Sequence, residues 1–125
     1  MTPEDSRTQT TEFVICVNDP IVSEDIARTL FEEFPGAKLC QADSLEEAER
    51  YVLASSGIMV AFLHMGPAQL AKTPLGQALA GSHAKVILMG DDAENSEIAE
   101  GFQVLQRPFR TVDLLMLLDS LALQR

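Results

Sequence analysis

The 125 residues and 13.7 kDa of this chain make one domain, large enough to bury about two-thirds of its unfolded surface without disulfides or metal. Nine Lys and Arg against 19 Asp and Glu give a net charge of −10, with Arg107 and Arg110 the only tight basic pair, so a nucleic-acid partner is excluded on electrostatic grounds. No apolar run reaches the roughly 20 residues that span a bilayer, and the polar opening MTPEDSRTQT is neither a secretory signal nor a transit peptide, so a cytoplasmic protein without a membrane partner is expected.

Residues 1–11 show no periodicity and read as a flexible tail, and residues 12–125 read as a single domain. Phe13 to Val17 is an apolar run of strand length that stops at Asn18-Asp19-Pro20, with Asp19 placed to cap a helix and Pro20 in its first turn. Val22, Ile26 and Leu30 then recur at helical spacing until Pro35-Gly36. A short strand, Ala37 to Ala42, precedes a capping box at Ser44 and Glu47, and Leu45, Ala48 and Val52 share one face of the helix that follows. Ile58 to Leu63 is a third apolar strand. A helix from about Ala68 to Ala80 is interrupted at Thr73-Pro74. Lys85 to Met89 is a fourth strand, followed by an acidic loop from Gly90 to Asn95 and a short helix from Ser96 to Glu100. A brief strand over Gln103 to Gln106 and a last helix from Val112 to about Leu123, capped by Thr111, complete the chain.

Apolar strands without polar alternation are covered on both faces, and five of them alternate with helical segments. The expected fold class is therefore a doubly wound α/β domain with a parallel sheet sandwiched by helices. Cys16 and Cys40 lie in apolar strands without CxxC spacing and read as reduced, buried thiols.

Ligands of such sheets bind beyond the carboxyl ends of the strands, which directs attention to Asn18, Asp19, Leu63, His64, Gly90, Asp91 and Arg107. Asn-Asp-Pro after the first strand cannot cradle a pyrophosphate, and no P-loop, GxSxG or HExxH is present. Neither a cofactor nor a metal is expected. The acidic residues from Asp91 to Glu100 lack calcium-loop spacing and read as a solvated face. Asp19 reads as an N-cap, and Arg107 as the partner of Asp19 or Asp91 across the crevice.

Over Glu12 to Leu123, the order of elements, the Val17-Asn18-Asp19-Pro20 segment and Arg107-Pro108-Phe109 resemble the receiver domain of bacterial response regulators, the CheY-like family. That resemblance implies a five-stranded sheet of order 2-1-3-4-5, with an acid pair after the first strand and a phosphorylated aspartate ending the third. It also implies a Ser or Thr after the fourth strand and a Lys-Pro, commonly joined by a cis bond, after the fifth. This sequence departs at each chemical position. Leu63 stands at the phosphoacceptor position, and at most one carboxylate survives among Val17, Asn18 and Asp19. Gly90 replaces the hydroxyl residue, and Arg107 the lysine. A leucine has no nucleophilic oxygen, so the resemblance is to a pseudo-receiver that signals without phosphorylation.

The last helix is the most apolar part of the chain. Leu114, Leu117, Leu118 and Leu121 suffice for a core stripe. Leu115, Met116, Ala122 and Leu123 exceed it and, beside Glu97 and Glu100, outline an expected interaction surface. The resemblance implies docking or dimerisation through this same face. A non-enzymatic domain acting on a protein partner, or as a homodimer, is therefore expected. The alternative is a small-ligand or anion sensor using the crevice near Asn18, His64 and Arg107.

Overall fold

The computed structural model describes residues 11–55, 57–82, 84–95, 102–107 and 109–121. The strands are β1 (Thr11–Cys16), β2 (Lys38–Gln41), β3 (Ile58–Leu63), β4 (Lys85–Leu88) and β5 (Phe102–Val104). The helices are α1 (Pro20–Glu33), α2 (Leu45–Ala54), α3 (Pro67–Ala71), α4 (Pro74–Gly81), α5 (Asp91–Asn95) and α6 (Thr111–Ser120). All pairings are parallel and the strand order is β2-β1-β3-β4-β5, as the resemblance implied.

Alternation along the central strands splits the core into two layers. Phe13 and Ile15 of β1, Val60 and Phe62 of β3 and Ile87 of β4 face α1 and α6, where they meet Ile26, Leu30, Phe34, Leu114 and Leu118. Val14 and Cys16, Ala61 and Leu63, and Val86 and Leu88 face the other way, against Ala48 and Val52 of α2, Leu70 of α3, and Leu75 and Leu79 of α4. Every residue of β1 is buried, which explains the unbroken apolar run from Phe13 to Cys16. Buried Glu12 is kept in the strand by its carboxylate, which accepts hydrogen bonds at 3.0 Å from the Ser55 hydroxyl and from the Gly57 N–H. It thus joins the end of α2 to the start of β3 at the amino end of the sheet.

Local chemistry sets the helix ends. Asp19 Oδ1 accepts from the N–H groups of Ile21 (2.9 Å) and Val22 (3.3 Å), with Pro20 at the first helical position of α1. Ser44 caps α2 through the Glu47 N–H, but the returning Glu47 carboxylate takes the N–H of Asp43 at 2.6 Å instead of that of Ser44. Thr73 divides α3 from α4, accepting from the Gly76 N–H and donating to the Leu70 carbonyl.

Several boundaries differ from the sequence reading. β1 starts at Thr11, one residue inside the expected tail, because Thr11 is buried and in register with Ile58. β5 is Phe102–Val104 and not Gln103 to Gln106. Asp91–Asn95 is a helical turn where an acidic loop was expected, opened by Gly90, whose carbonyl accepts from the Glu94 N–H. Residues 96–100 lie outside the described residues. Thr111 is the first residue of α6 and not its cap, since Arg110 holds that position and its N–H donates to Asp113 Oδ2 at 2.8 Å. Among the described residues no helix is long and apolar enough to cross a membrane.

Candidate functional site: a crevice closed by its own side chains

The residues singled out by sequence do gather at the carboxyl ends of β1, β3, β4 and β5, but their side chains are committed to one another or to the core. Leu63 is fully buried in the α2-side layer, between Cys16 of β1 and Leu88 of β4 in the ladder. Its backbone continues the sheet, the carbonyl accepting from the Met89 N–H at 3.0 Å. Leu63 presents no side-chain oxygen where the third strand ends. Val17 is half-buried, Asn18 is exposed, and the Asp19 carboxylate is occupied by the first turn of α1.

Gly90 is buried with φ +103°, a left-handed conformation that side chains strongly disfavour. The His64 ring lies directly against it, and a Cβ added at Gly90 would sit 2.6 Å from His64 Nε2. The imidazole therefore fills the space that a hydroxyl side chain would need. His64 Nδ1 is buried and has no hydrogen-bond partner among the described residues.

Arg107 closes the remaining side. Its Nη2 lies 2.5 Å from Asp91 Oδ1 and its Nε 3.0 Å from Glu94 Oε2, while its backbone N–H donates to the same Glu94 oxygen at 2.9 Å. The Asp91 pairing matches the sequence expectation. Asp19 takes no part because its carboxylate is spent on the helix cap. Glu94 was missed: three residues from Asp91, it shares a helical face, but the segment was read as a loop. The N–H and then the guanidinium of Arg107 hold the Glu94 carboxyl below the usual glutamate range, and Glu94 in turn raises Arg107. A carboxyl lowered in the folded state stabilises it above the unfolded-state value and loses that contribution as pH falls through the folded-state value. In a carboxyl-detected NMR titration Glu94 is expected to titrate below an ordinary glutamate, and Arg107→Gln, which keeps the backbone N–H, to return it only part of the way. An unmoved midpoint in Arg107→Gln would show that the guanidinium does not contribute.

Both cysteines are free; Cys16 is buried as expected, whereas Cys40, on the edge strand β2, is only half-buried, and burial is the main factor raising both above the ordinary thiol range. They are packing groups, not nucleophiles. Phe109 packs against the α1–α6 layer, and Pro108, with the bond expected to be cis, lies outside the described residues. Of the expected interaction surface, Met116 is 66% exposed, whereas Leu115 is half-buried against the core. Val112, one turn before Met116, is also exposed and was not anticipated. Glu97, Glu100, Ala122 and Leu123 lie outside the described residues.

A parallel 2-1-3-4-5 sheet with this crevice at its carboxyl end is the architecture of a receiver-like, CheY-like α/β domain. Among solved structures, SdrG from Sphingomonas melonis Fr1 superposes with a TM-score of 0.70 at 20% identity, over 93% of this chain and 99% of that one. The receiver domain of the hybrid histidine kinase CckA matches with a TM-score of 0.58 at 16% identity, over 87% of this chain and 96% of that one. A CheY-like receiver domain protein from Methanospirillum hungatei JF-1 gives 0.59 at 16% identity, over 85% and 89%. No protein-family model and no curated protein matches the chain.

Proposed function

We propose that this domain is a pseudo-receiver: a non-enzymatic, cytoplasmic signalling module that works by protein–protein interaction without being phosphorylated. The observation that carries this reading is Leu63, fully buried at the end of β3 where the fold's chemistry needs a carboxylate. Two further commitments support it. Arg107, the cation placed to meet a phosphoryl group, is neutralised by Asp91 and Glu94, and His64 fills the volume above Gly90. SdrG is also solved in a BeF3-activated conformation. A phosphoryl mimic of that kind needs an oxygen ligand, and Leu63 supplies none. With acetyl phosphate and Mg²⁺ the protein is expected to remain at its unmodified intact mass. A stable phosphoryl adduct on Asp19 or His64 would overturn the reading.

The working surface in this proposal is the exposed side of α6. Val112 and Met116 are spaced four residues apart on one helical face and are 45% and 66% exposed. Burying two such side chains contributes about 2–4 kcal/mol to association before its entropic costs. The net charge of −10 opposes a homodimer and favours a basic partner. Comparing wild type with a Val112→Glu, Met116→Glu variant as bait tests this. Proteins retained by wild type and lost by the variant are expected, with circular dichroism unchanged. An identical set of captured proteins would move the surface elsewhere.

A further inference from the structure

A groove opens between the carboxyl ends of β1 and β2, beside the receiver crevice and sharing Val17 and Asn18 with it. We propose that this groove binds an organic cation, a guanidinium or primary ammonium head on an aliphatic stem. Its volume is about 390 Å³, above the roughly 300 Å³ at which small-molecule sites begin. The floor is the Ser23 hydroxyl, 8% exposed, which accepts from Gln41 Nε2 at 3.0 Å. That bond orients the Gln41 amide and leaves its carbonyl oxygen free to accept from a ligand. The carboxylates of Glu24 and Asp43 and the amide of Asn18 also line the groove, and no lysine, arginine or histidine does. Among the described residues neither carboxylate has a hydrogen-bond or ion-pair partner; the one arginine on α1, Arg28, is turned to Asp25.

Each other ligand class meets a specific obstacle. An anion meets two carboxylates with no cationic side chain to offset them, and the first backbone N–H groups of α1 are spent: Pro20 has none, Asp19 Oδ1 takes those of Ile21 and Val22, and the Asp19 carbonyl takes that of Ser23. A divalent metal finds too few ligands, since no group of three metal-type side chains occurs among the described residues. A neutral ligand gains nothing from the charges of Glu24 and Asp43, both of which are exposed at the rim. Cys16, which also lines the groove, has its thiol raised by burial, then by Glu47 outside the groove and by Asp43 within it. Val17, Pro20 and Ala42 supply apolar wall for methylene groups. This assignment is independent of the pseudo-receiver reading.

The chemistry is shared by free polyamines and by an arginine or lysine of a partner, and the experiment separates them. The ¹⁵N-labelled domain is titrated with agmatine and, separately, with a peptide carrying one arginine between glycine and serine. Saturable shifts are expected at the amides of Ser23, Gln41, Ala42 and Asp43, weakening with salt. Glu24→Gln and Asp43→Asn should each weaken binding about tenfold, while Asp25→Asn, outside the groove, should not. Tighter binding of the peptide identifies a partner's side chain as the source; tighter binding of agmatine, a free amine. Non-saturating shifts spread over all acidic residues, equal binding by N-butylacetamide, or the same shifts from Mg²⁺ at lower concentration would each overturn the proposal.

Discussion

Replacing Leu63 with aspartate, the change that would restore an acceptor by sequence alone, is expected to destabilise the domain by about 3–5 kcal/mol without making it phosphorylatable. Leu63 is 0% exposed and packs in the layer formed with Val14, Ala61 and Leu88. A carboxylate there has no partner: Arg107 is engaged by Asp91 and Glu94, and the segment after β1 offers no cluster of acids to hold a cation. The buried acid would stay protonated, its pKa raised by desolvation. The unfolded chain ionises at about pH 4, so the loss should grow as pH rises above that value. Urea unfolding of both proteins at mildly acidic and mildly alkaline pH measures it. A variant as stable as wild type at both would mean that the end of β3 is far more hydrated than its packing indicates.

The second large effect is at Gly90. Gly90→Ala is expected to cost about 1–3 kcal/mol for the backbone alone, because φ is +103°, with a further steric contribution from the His64 ring. The two causes are separable. Adding His64→Ala to the Gly90→Ala protein should recover the steric part and leave the conformational part, a coupling of about 0.5–3 kcal/mol in a double-mutant cycle. Additive single effects would show that the ring yields freely and does not fill the crevice. Gly90→Ser should behave as alanine does, so restoring the hydroxyl residue expected of a receiver should not restore its chemistry.

Most of the fold was legible because its signals are local and redundant. Phe13 to Val17, Ile58 to Leu63 and Val86 to Met89 are unbroken apolar runs, and Asp19-Pro20, Ser44 and Thr73-Pro74 mark helix starts through bonds that the structure contains. What was not legible depended on distant contacts or conflicting composition. Asp91-Asp92-Ala93-Glu94-Asn95 has the polarity of a loop and folds as a helical turn because Gly90 opens it and Arg107, from the far side of β5, clamps it. The packing of His64 on Gly90 joins residues at the ends of two strands, and the Ser23–Gln41 bond spans a helix and a strand; neither leaves a trace in spacing. Leu115 was assigned to the surface because the lateral reach of the α1–α6 layer, which partly covers it, is a tertiary property.

The uneven lengths of the strands have a consequence in time. β1 and β3 share six paired positions at the centre of the sheet, whereas β5 is held to β4 by three. Transient opening is therefore expected to begin at the β5 edge, while α6, next in the chain, is held to the core by Leu114 and Leu118. Arg107 fastens that edge to α5 from outside the ladder. The helix bearing Met116 thus follows directly on the least paired strand, and a partner that grips both is expected to lower the rate at which that edge frays.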